Sequence, residues 1–351
     1  MPKALDYQSV PNKFISLKDM YPAYYNTFSA EQKKAHDAGF GILTDKLAKV
    51  DPTIYEPIIF TTYRRDFKAI EASNEMVESI EYYSTDYAGL VDEISNIVGS
   101  KNDVVPRINA GISQARVPVF LFQLTYTLKW AEIEKLSKKQ LPVAIEAVYQ
   151  KAAAAGFELF IDRVSHLGMG IHGGLYNHVD VDATSVATVT SANITTATDA
   201  QLIAMINTPI KTFLSNTNFN VEMIPDTMLV PTWVVTELQN RNSPLYTQSL
   251  YDYVMEHNLG EAAARAHGLK GYKLTIEGRP ALDSIGVANK GRIVVYKNDG
   301  RFVKLHIPFA FQAYMTQPDM TELGYTTLFM AQVSAPQIPY KEAIRYYDFT
   351  A

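Results

Sequence analysis

The 351-residue sequence predicts an α+β chain, with one long helix, extended strands packed around it, and no internal repeat. Three features carry that expectation. From Pro142 to His166 the residues favour helix, and Ile145, Val148, Ala152, Ala155 and Leu159 recur at spacings of three and four as an apolar stripe. About 25 residues at 1.5 Å each make a rod of roughly 38 Å, long for a globular domain. From Ser113 to Leu128 the period is instead two, with Pro118, Phe120, Phe122, Leu124, Tyr126 and Leu128 on one side. Asn298-Asp299-Gly300, between the apolar runs Arg292–Lys297 and Phe302–Ile307, is the strongest short-range hairpin signal in the chain.

Residues 1–50 read as an arm followed by a helix. Tyr21, Tyr24, Tyr25 and Phe28 cluster without a helical period, and Ser29 with Gln32 has capping-box spacing. That helix stops by Asp51-Pro52, because proline disfavours helix at the residue before it. Val77–Tyr83 is a candidate strand. Thr85–Gly111 shows no period, and long loops of this kind are usually functional. A short helix is expected over Trp130–Lys138. The spine helix starts near Pro142, which suits a first helical turn. Residues 167–182 form a glycine-rich turn, and 183–198 read as a mobile connection of Thr, Ser, Ala and Val. Thr198 and Gln201 form a second capping box, opening a helix to about Ser215. Asp226–Pro231 reads as a short buried strand. Ser243-Pro244 opens a helix through Tyr251 and Val254 that Asn258 and Gly260 end. Tyr325–Ser334 and Ala343–Phe349 are the closing strands.

Composition excludes several function classes. There is no cysteine, which removes disulfides, thiol nucleophiles, iron–sulfur ligation and every Cys-containing zinc site. Thirty-two basic residues against 37 acidic give a formal charge of −5, which argues against a dedicated nucleic-acid binder with a strongly basic face. The start Met1–Asp6 has no apolar secretory core, and the longest apolar runs fall far short of the ~20 residues of a membrane helix. A soluble intracellular chain is the expectation.

Three motifs look like chemistry and are better read as structure. Gly168-Met169-Gly170-Ile171-His172-Gly173 matches G-x-G-x-x-G, but it follows a helix and opens none, so nucleotide binding lacks its context. Its glycines turn the chain at a helix end. His166, His172 and His178, with Asp180 and Asp182, suggest a metal site. Their spacing of six fits neither a helical nor a strand pair, so the expectation is turn histidines bonded to backbone. Asn193-Ile194-Thr195 is a glycosylation sequon that carries no weight without a leader. The two tryptophans, Trp130 and Trp233, read as core or interface anchors. No catalytic, cofactor-binding or metal-ligating residue and no cofactor is expected.

The order of parts does point to a family. Ile80–Gly89 (IEYYSTDYAG), Ala152–Gly168, Gly173–Asn177 (GGLYN), Asp226–Trp233 (DTMLVPTW), Ser249–Tyr253, Gly291–Tyr296 (GRIVVY) and Pro339–Tyr347 (PYKEAIRYY) together resemble the major capsid proteins of tailed double-stranded DNA phages. This is the Hong Kong 97-type fold, shared with encapsulin shells. The resemblance spans roughly residues 50–349. Val333–Pro336 stands where the family often has a Gly-Gly step, a departure at the last turn. The resemblance implies an N-terminal arm at 1–50 and an extended loop at 75–128 that lies over a neighbouring subunit. It implies a peripheral domain from 51–74, 129–194 and 309–351, and an axial domain at 195–308. It implies a non-enzymatic shell subunit of a virion, assembled in the host cytoplasm. The shell would be icosahedral, built from hexamers and pentamers, and would enclose double-stranded DNA without reading its sequence. Scaffolding, portal and decoration proteins are the implied partners, and no membrane. Tyr21, Tyr24, Tyr25, Arg64, Arg65, Tyr83, Asp86, Phe120 and Phe122 are the implied subunit-interface residues. An encapsulin-like compartment, or an enzyme using the 166–182 turn, remain the alternatives.

Overall fold

A computed structural model describes residues 59–88, 109–130, 145–186, 189–190, 192–242, 248–321 and 323–349. The expected arm and helix at 1–50, the short helix after Trp130 and the middle of the 75–128 excursion lie outside them. The described helices are α1 Tyr63–Asp66, α2 Ile145–Leu167, α3 Asp199–Asn216, α4 Thr232–Asn240, α5 Leu250–Glu256 and α6 Leu259–Ala266. The strands are β1 Ala69–Ala72, β2 Ser79–Ala88, β3 Asn109–Lys129, β4 Gly168–Met169, β5 His172–Gly173, β6 Ala183–Val186, β7 Thr227–Pro231, β8 Thr275–Arg279 and β9 Arg292–Tyr296. They continue with β10 Lys304–Ile307, β11 Gln312–Asp319, β12 Gly324–Ser334 and β13 Ile344–Phe349.

Two sheets organise the described residues, in the orders β11-β12-β3-β2 and β6-β13-β9-β7-β8. The five-stranded sheet is a wall between two cores, and the strand period of two sorts its residues between them. Met228, Val230, Ile293, Val295, Tyr347 and Phe349 face one core with α3–α6. Leu229, Val294, Tyr296, Ile344 and Tyr346 face the other, with α2 and the four-stranded sheet. Both faces are covered, so these strands read as unbroken apolar runs.

The spine helix α2 packs through a different stripe from the one its sequence suggests. Ala153, Phe157, Ile161 and Val164 are buried, whereas Val148 and Leu159 are exposed, Ala152 is exposed and Ala155 half-buried. Two apolar rows interleave on this alanine-rich helix. The row holding Phe157 wins because an aromatic ring brings the larger buried area. Phe157 and Phe160 meet Phe122 of β3, with ring centroids 5.7 and 5.1 Å apart.

Other departures have local causes. Asn298-Asp299-Gly300 does not close a hairpin: β9 pairs with β13 and β7, while β10 pairs in parallel with β1. Asn298 is buried and tied elsewhere. Its Oδ1 accepts from Lys68 N at 3.0 Å, its Nδ2 donates to Arg65 O at 3.2 Å, and its N donates to Asp226 Oδ1 at 2.8 Å. The helix expected from Ser243 starts at Leu250, N-capped by Ser249. Asn258 ends it as expected, its Nδ2 donating to Met255 O at 3.0 Å, and also caps α6 through a 2.9 Å bond from Glu261 N. Thr85–Ala88 and Asn109–Gly111 belong to strands rather than loop. The expected connection 183–198 contains β6, paired with β13. The terminal strand β13, assigned by resemblance to the peripheral part, pairs with β9, and β10, assigned to the axial part, pairs with β1. The Thr198–Gln201 capping box forms as expected.

Candidate assembly interface

Strand β3 serves two partners in turn. Its half Val119–Lys129 pairs with β12, and its half Asn109–Pro118 pairs with β2. The second pairing runs on beyond the end of β12 as a two-stranded ribbon. Such a ribbon is marginal in water on its own. One face carries Glu81, Tyr83, Ile112, Gln114 and Arg116, with Tyr83 68 % and Ile112 73 % exposed. On that face Glu81 accepts from Gln114 Nε2 at 2.6 Å and from Arg116 Nε at 3.1 Å. The opposite face carries Ile80, Tyr82, Ser84, Ser113, Ala115 and Val117. Val117 is buried at the root, and burial pushes the Tyr82 phenol up. Beside the root lies a concavity of about 440 Å³ lined by Tyr82, Tyr83, Met223, Phe302, Pro339 and Tyr340.

The expected interface residues fall into four groups. Tyr83 lies on the exposed ribbon face, and Asp86 is in the ribbon ladder opposite Gly111. Phe120 and Phe122 are half-buried on the face toward α2, and Phe120 also meets the His172 ring at 6.1 Å. Arg64 and Arg65 are engaged within the chain. Arg64 donates to Glu158 Oε1 at 3.0 Å, and Arg65 pairs with Glu277 at 3.0 Å. Tyr21, Tyr24 and Tyr25 lie outside the described residues. Ile112, exposed on the same ribbon face as Tyr83, was not among the expected residues.

A buried ionic cluster joins α1, the spine helix and the five-stranded sheet. Asp66 Oδ2 accepts from His166 Nε2 at 2.9 Å and Arg279 Nε at 3.0 Å, and Asp66 Oδ1 accepts from Arg279 Nη2. Burial would raise the Asp66 carboxyl. The hydrogen bonds from His166 and Arg279 and the Arg279 charge outweigh it and hold the group below the usual carboxylate range. Asp162 of α2 accepts from the N–H groups of Thr62 and Tyr63 at 2.7 and 2.9 Å, capping α1. The three histidines of the glycine turn are therefore dispersed: His166 is in this cluster, His172 is beside Phe120, and His178 Nδ1 accepts from Asp180 N at 3.3 Å. Among the described residues no group of His, Asp and Glu is arranged to hold a metal ion.

A sequence profile described as major capsid protein matches residues 94–349. The chain belongs to the major capsid protein family. The capsid protein's fold is that of phage shells. The capsid of Myoviridae phage XM1 superposes with a TM-score of 0.67 at 16 % identity, covering 87 % of this chain and 98 % of that one. The capsid of the empty GTA particle gives 0.55 at 11 %, covering 90 % and 98 %. The Mycobacterium phage Bobi chain gives 0.56 at 10 %, covering 87 % and 95 %. No curated relative matches the sequence. The capsid protein is thus a structural shell subunit, with the Hong Kong 97-type α+β fold.

Proposed function

We propose that copies of this chain close into an icosahedral head through rings of five and six, each copy laying its β2–β3 ribbon over a neighbour. The ribbon carries this reading: ten residue pairs of ladder with Tyr83 and Ile112 in water form a long exposed edge, an aggregation hazard in a monomer and an interface in an ordered assembly. The four-stranded sheet with α2 serves as the peripheral part, the five-stranded sheet with α3–α6 as the axial part, and residues 1–50 as an arm that meets neighbours through Tyr21, Tyr24 and Tyr25. Repeated head-to-tail contacts close into rings when the rotation permits. A scaffold, a portal and decoration proteins complete the particle, which assembles in the host cytoplasm.

The enclosed cargo is double-stranded DNA, held without sequence reading. A formal charge of −5 per chain, repeated over a shell, gives a container that does not grip a polyanion as a whole. Local phosphate contacts stay in the non-specific range of about 10⁻⁴–10⁻⁶ M near physiological salt.

The test compares the wild-type chain with Tyr83→Asp/Ile112→Asp. Both positions are exposed, so the variant subunit keeps its circular dichroism spectrum and unfolding midpoint. The wild type gives megadalton particles by light scattering and negative-stain microscopy, and the variant gives small oligomers only. A wild type that stays monomeric or dimeric with a scaffold supplied overturns the shell reading. Closed particles from the variant overturn the ribbon's role.

A further inference from the structure

The glycine turn follows the spine helix directly. Its base is locked. The carbonyls of Ser165 and His166, at the end of α2, accept from the N–H groups of Leu175 and Tyr176 at 2.9 Å each. Asn177 Oδ1 accepts from Gly174 N at 2.7 Å, and the Tyr346 hydroxyl donates to Leu175 O at 2.7 Å while accepting from His178 N at 2.9 Å. Arg292 Nη1 donates to Tyr176 O at 2.8 Å. Glycine is required at the base: a Cβ on Gly174 would lie 2.3 Å from the His166 carbonyl carbon, and one on Gly168, whose φ is +76°, 2.1 Å from His172 O.

From this locked base the β4–β5 hairpin carries two large apolar side chains outward. Ile171 is 85 % exposed and Met169 49 %, flanked by Leu167 and by Val179 at 77 %. A turn serving only to reverse the chain needs no such residues at its tip. A Cβ on Gly170, at the tip itself, would meet nothing within 4 Å. The hairpin also shares a cleft of about 240 Å³ with the root of the ribbon, where Ile171, His172 and Val179 face Tyr82, Arg116 and Pro118. The apolar tip therefore borders the root of the ribbon, where Arg116 belongs to the face proposed above to meet a neighbour.

We infer that Met169–Gly170–Ile171 is a preorganised apolar plug that a second copy of this chain covers in the assembled shell. The inference rests on the shell reading above. Family membership makes copies of this chain the partner, and the cleft shared with the ribbon root places the plug beside the same contact. Rigidity suits the role. A backbone already fixed at its base loses little freedom on docking, and apolar anchors on rigid elements dominate interface energetics.

The chain contains no cysteine, so Ile171→Cys creates a unique thiol. Particles of this variant and its unassembled fraction, separated by size, are each treated with a maleimide that labels an accessible thiolate. Labelling in particles is expected to be slower by at least about tenfold, because only the exposed thiolate reacts. Ile171→Asp is expected to leave the subunit's unfolding midpoint unchanged and to reduce particle yield. Equal labelling rates in the two fractions, or a full yield of normal particles from Ile171→Asp, overturn the plug and leave the shell reading intact. Absence of particles from the wild type overturns the shell reading itself.

Discussion

Asp66 and His166, one hundred residues apart in sequence, meet inside the protein with Nε2 of His166 2.9 Å from Oδ2 of Asp66. Asp66 sits in a four-residue helix and His166 in the last turn of the spine helix. Arg279, at the end of β8, closes the cluster on the same carboxylate, and all three residues are almost wholly buried. The spine helix, a short helix and the edge of the five-stranded sheet are thus fastened at one carboxyl group. Each partner arrives from a different part of the chain.

Asp66→Asn is expected to destabilise the subunit by about 3–5 kcal/mol, the usual cost of leaving a buried cation without its partner. The amide supplies one acceptor oxygen where two now serve three N–H donors. Urea unfolding of the subunit measures it. Arg64→Ala is the comparison: its partner Glu158 is a surface pair, so the cost is about 0–1 kcal/mol. Equal losses from both variants would show that the cluster is not the fastening point.

Acid should loosen the same fastening. The Asp66 carboxyl is held below its ordinary value in the folded chain, so the unfolded chain binds more protons through that window. Its contribution is complete above about pH 4, the ordinary aspartate value. It is lost as pH falls through the lower folded value. Glu71 and Asp299 are also held low, by hydrogen bonds from Lys304 and from the Arg301 backbone, and add loss in the same direction. The Asp66 share is therefore read by difference: unfolding free energy against pH should fall less steeply in acid for Asp66→Asn than for the wild type. Parallel curves would assign the whole acid loss to other carboxylates.

The spine helix separates two substitutions one residue apart. Ala153→Asp forces an unpaired carboxylate into a site only 2 % exposed and should cost more than about 3 kcal/mol, with loss of soluble subunit. Ala152→Asp points to solvent and should stay within about 0.5 kcal/mol. Soluble yield and thermal unfolding of the two variants decide it. The reverse order would restore the stripe Val148–Ala152–Leu159 as the packed one.

That pair shows where sequence reading stops. The strand core Ser113–Leu128 and the capping box at Thr198 follow from local period and local hydrogen bonding, and both are legible. The buried face of α2 is not, because alanine satisfies two stripes equally and the choice rests on Phe122, a residue on another element. The Asn298 turn fails for the same reason. Its side chain is claimed by Lys68 and Arg65, over two hundred residues away, so a strong local hairpin signal joins strands of different sheets. On the ribbon, Tyr83 stood out in the sequence as an aromatic on an excursion, and its ring is exposed. The engagement of Arg64 and Arg65 with Glu158 and Glu277 was not legible, since an ion pair over such separations leaves no periodic trace.

The glycine turn yields the last prediction, a graded series at four positions. Gly174→Ala places a methyl 2.3 Å from the carbonyl carbon of His166, against backbone that the helix end holds fixed. Gly173→Ala meets Asn177 O at 2.3 Å. Gly168→Ala combines a φ of +76° with a 2.1 Å approach to His172 O. None of these neighbours is the free end of a flexible side chain, so relief requires the turn to leave the end of α2. The bonds to Leu175 N and Tyr176 N are then lost. Gly170→Ala differs: its φ is +64°, but the space around the added methyl is empty. Its cost is the left-handed penalty alone, about 1–2 kcal/mol. Thermal unfolding should therefore rank Gly170→Ala well above the other three in stability. Hydrogen exchange at Leu175 and Tyr176 should speed up in Gly168→Ala, Gly173→Ala and Gly174→Ala while staying protected in Gly170→Ala. Uniform small losses at all four positions would mean that the turn is not locked to the spine helix.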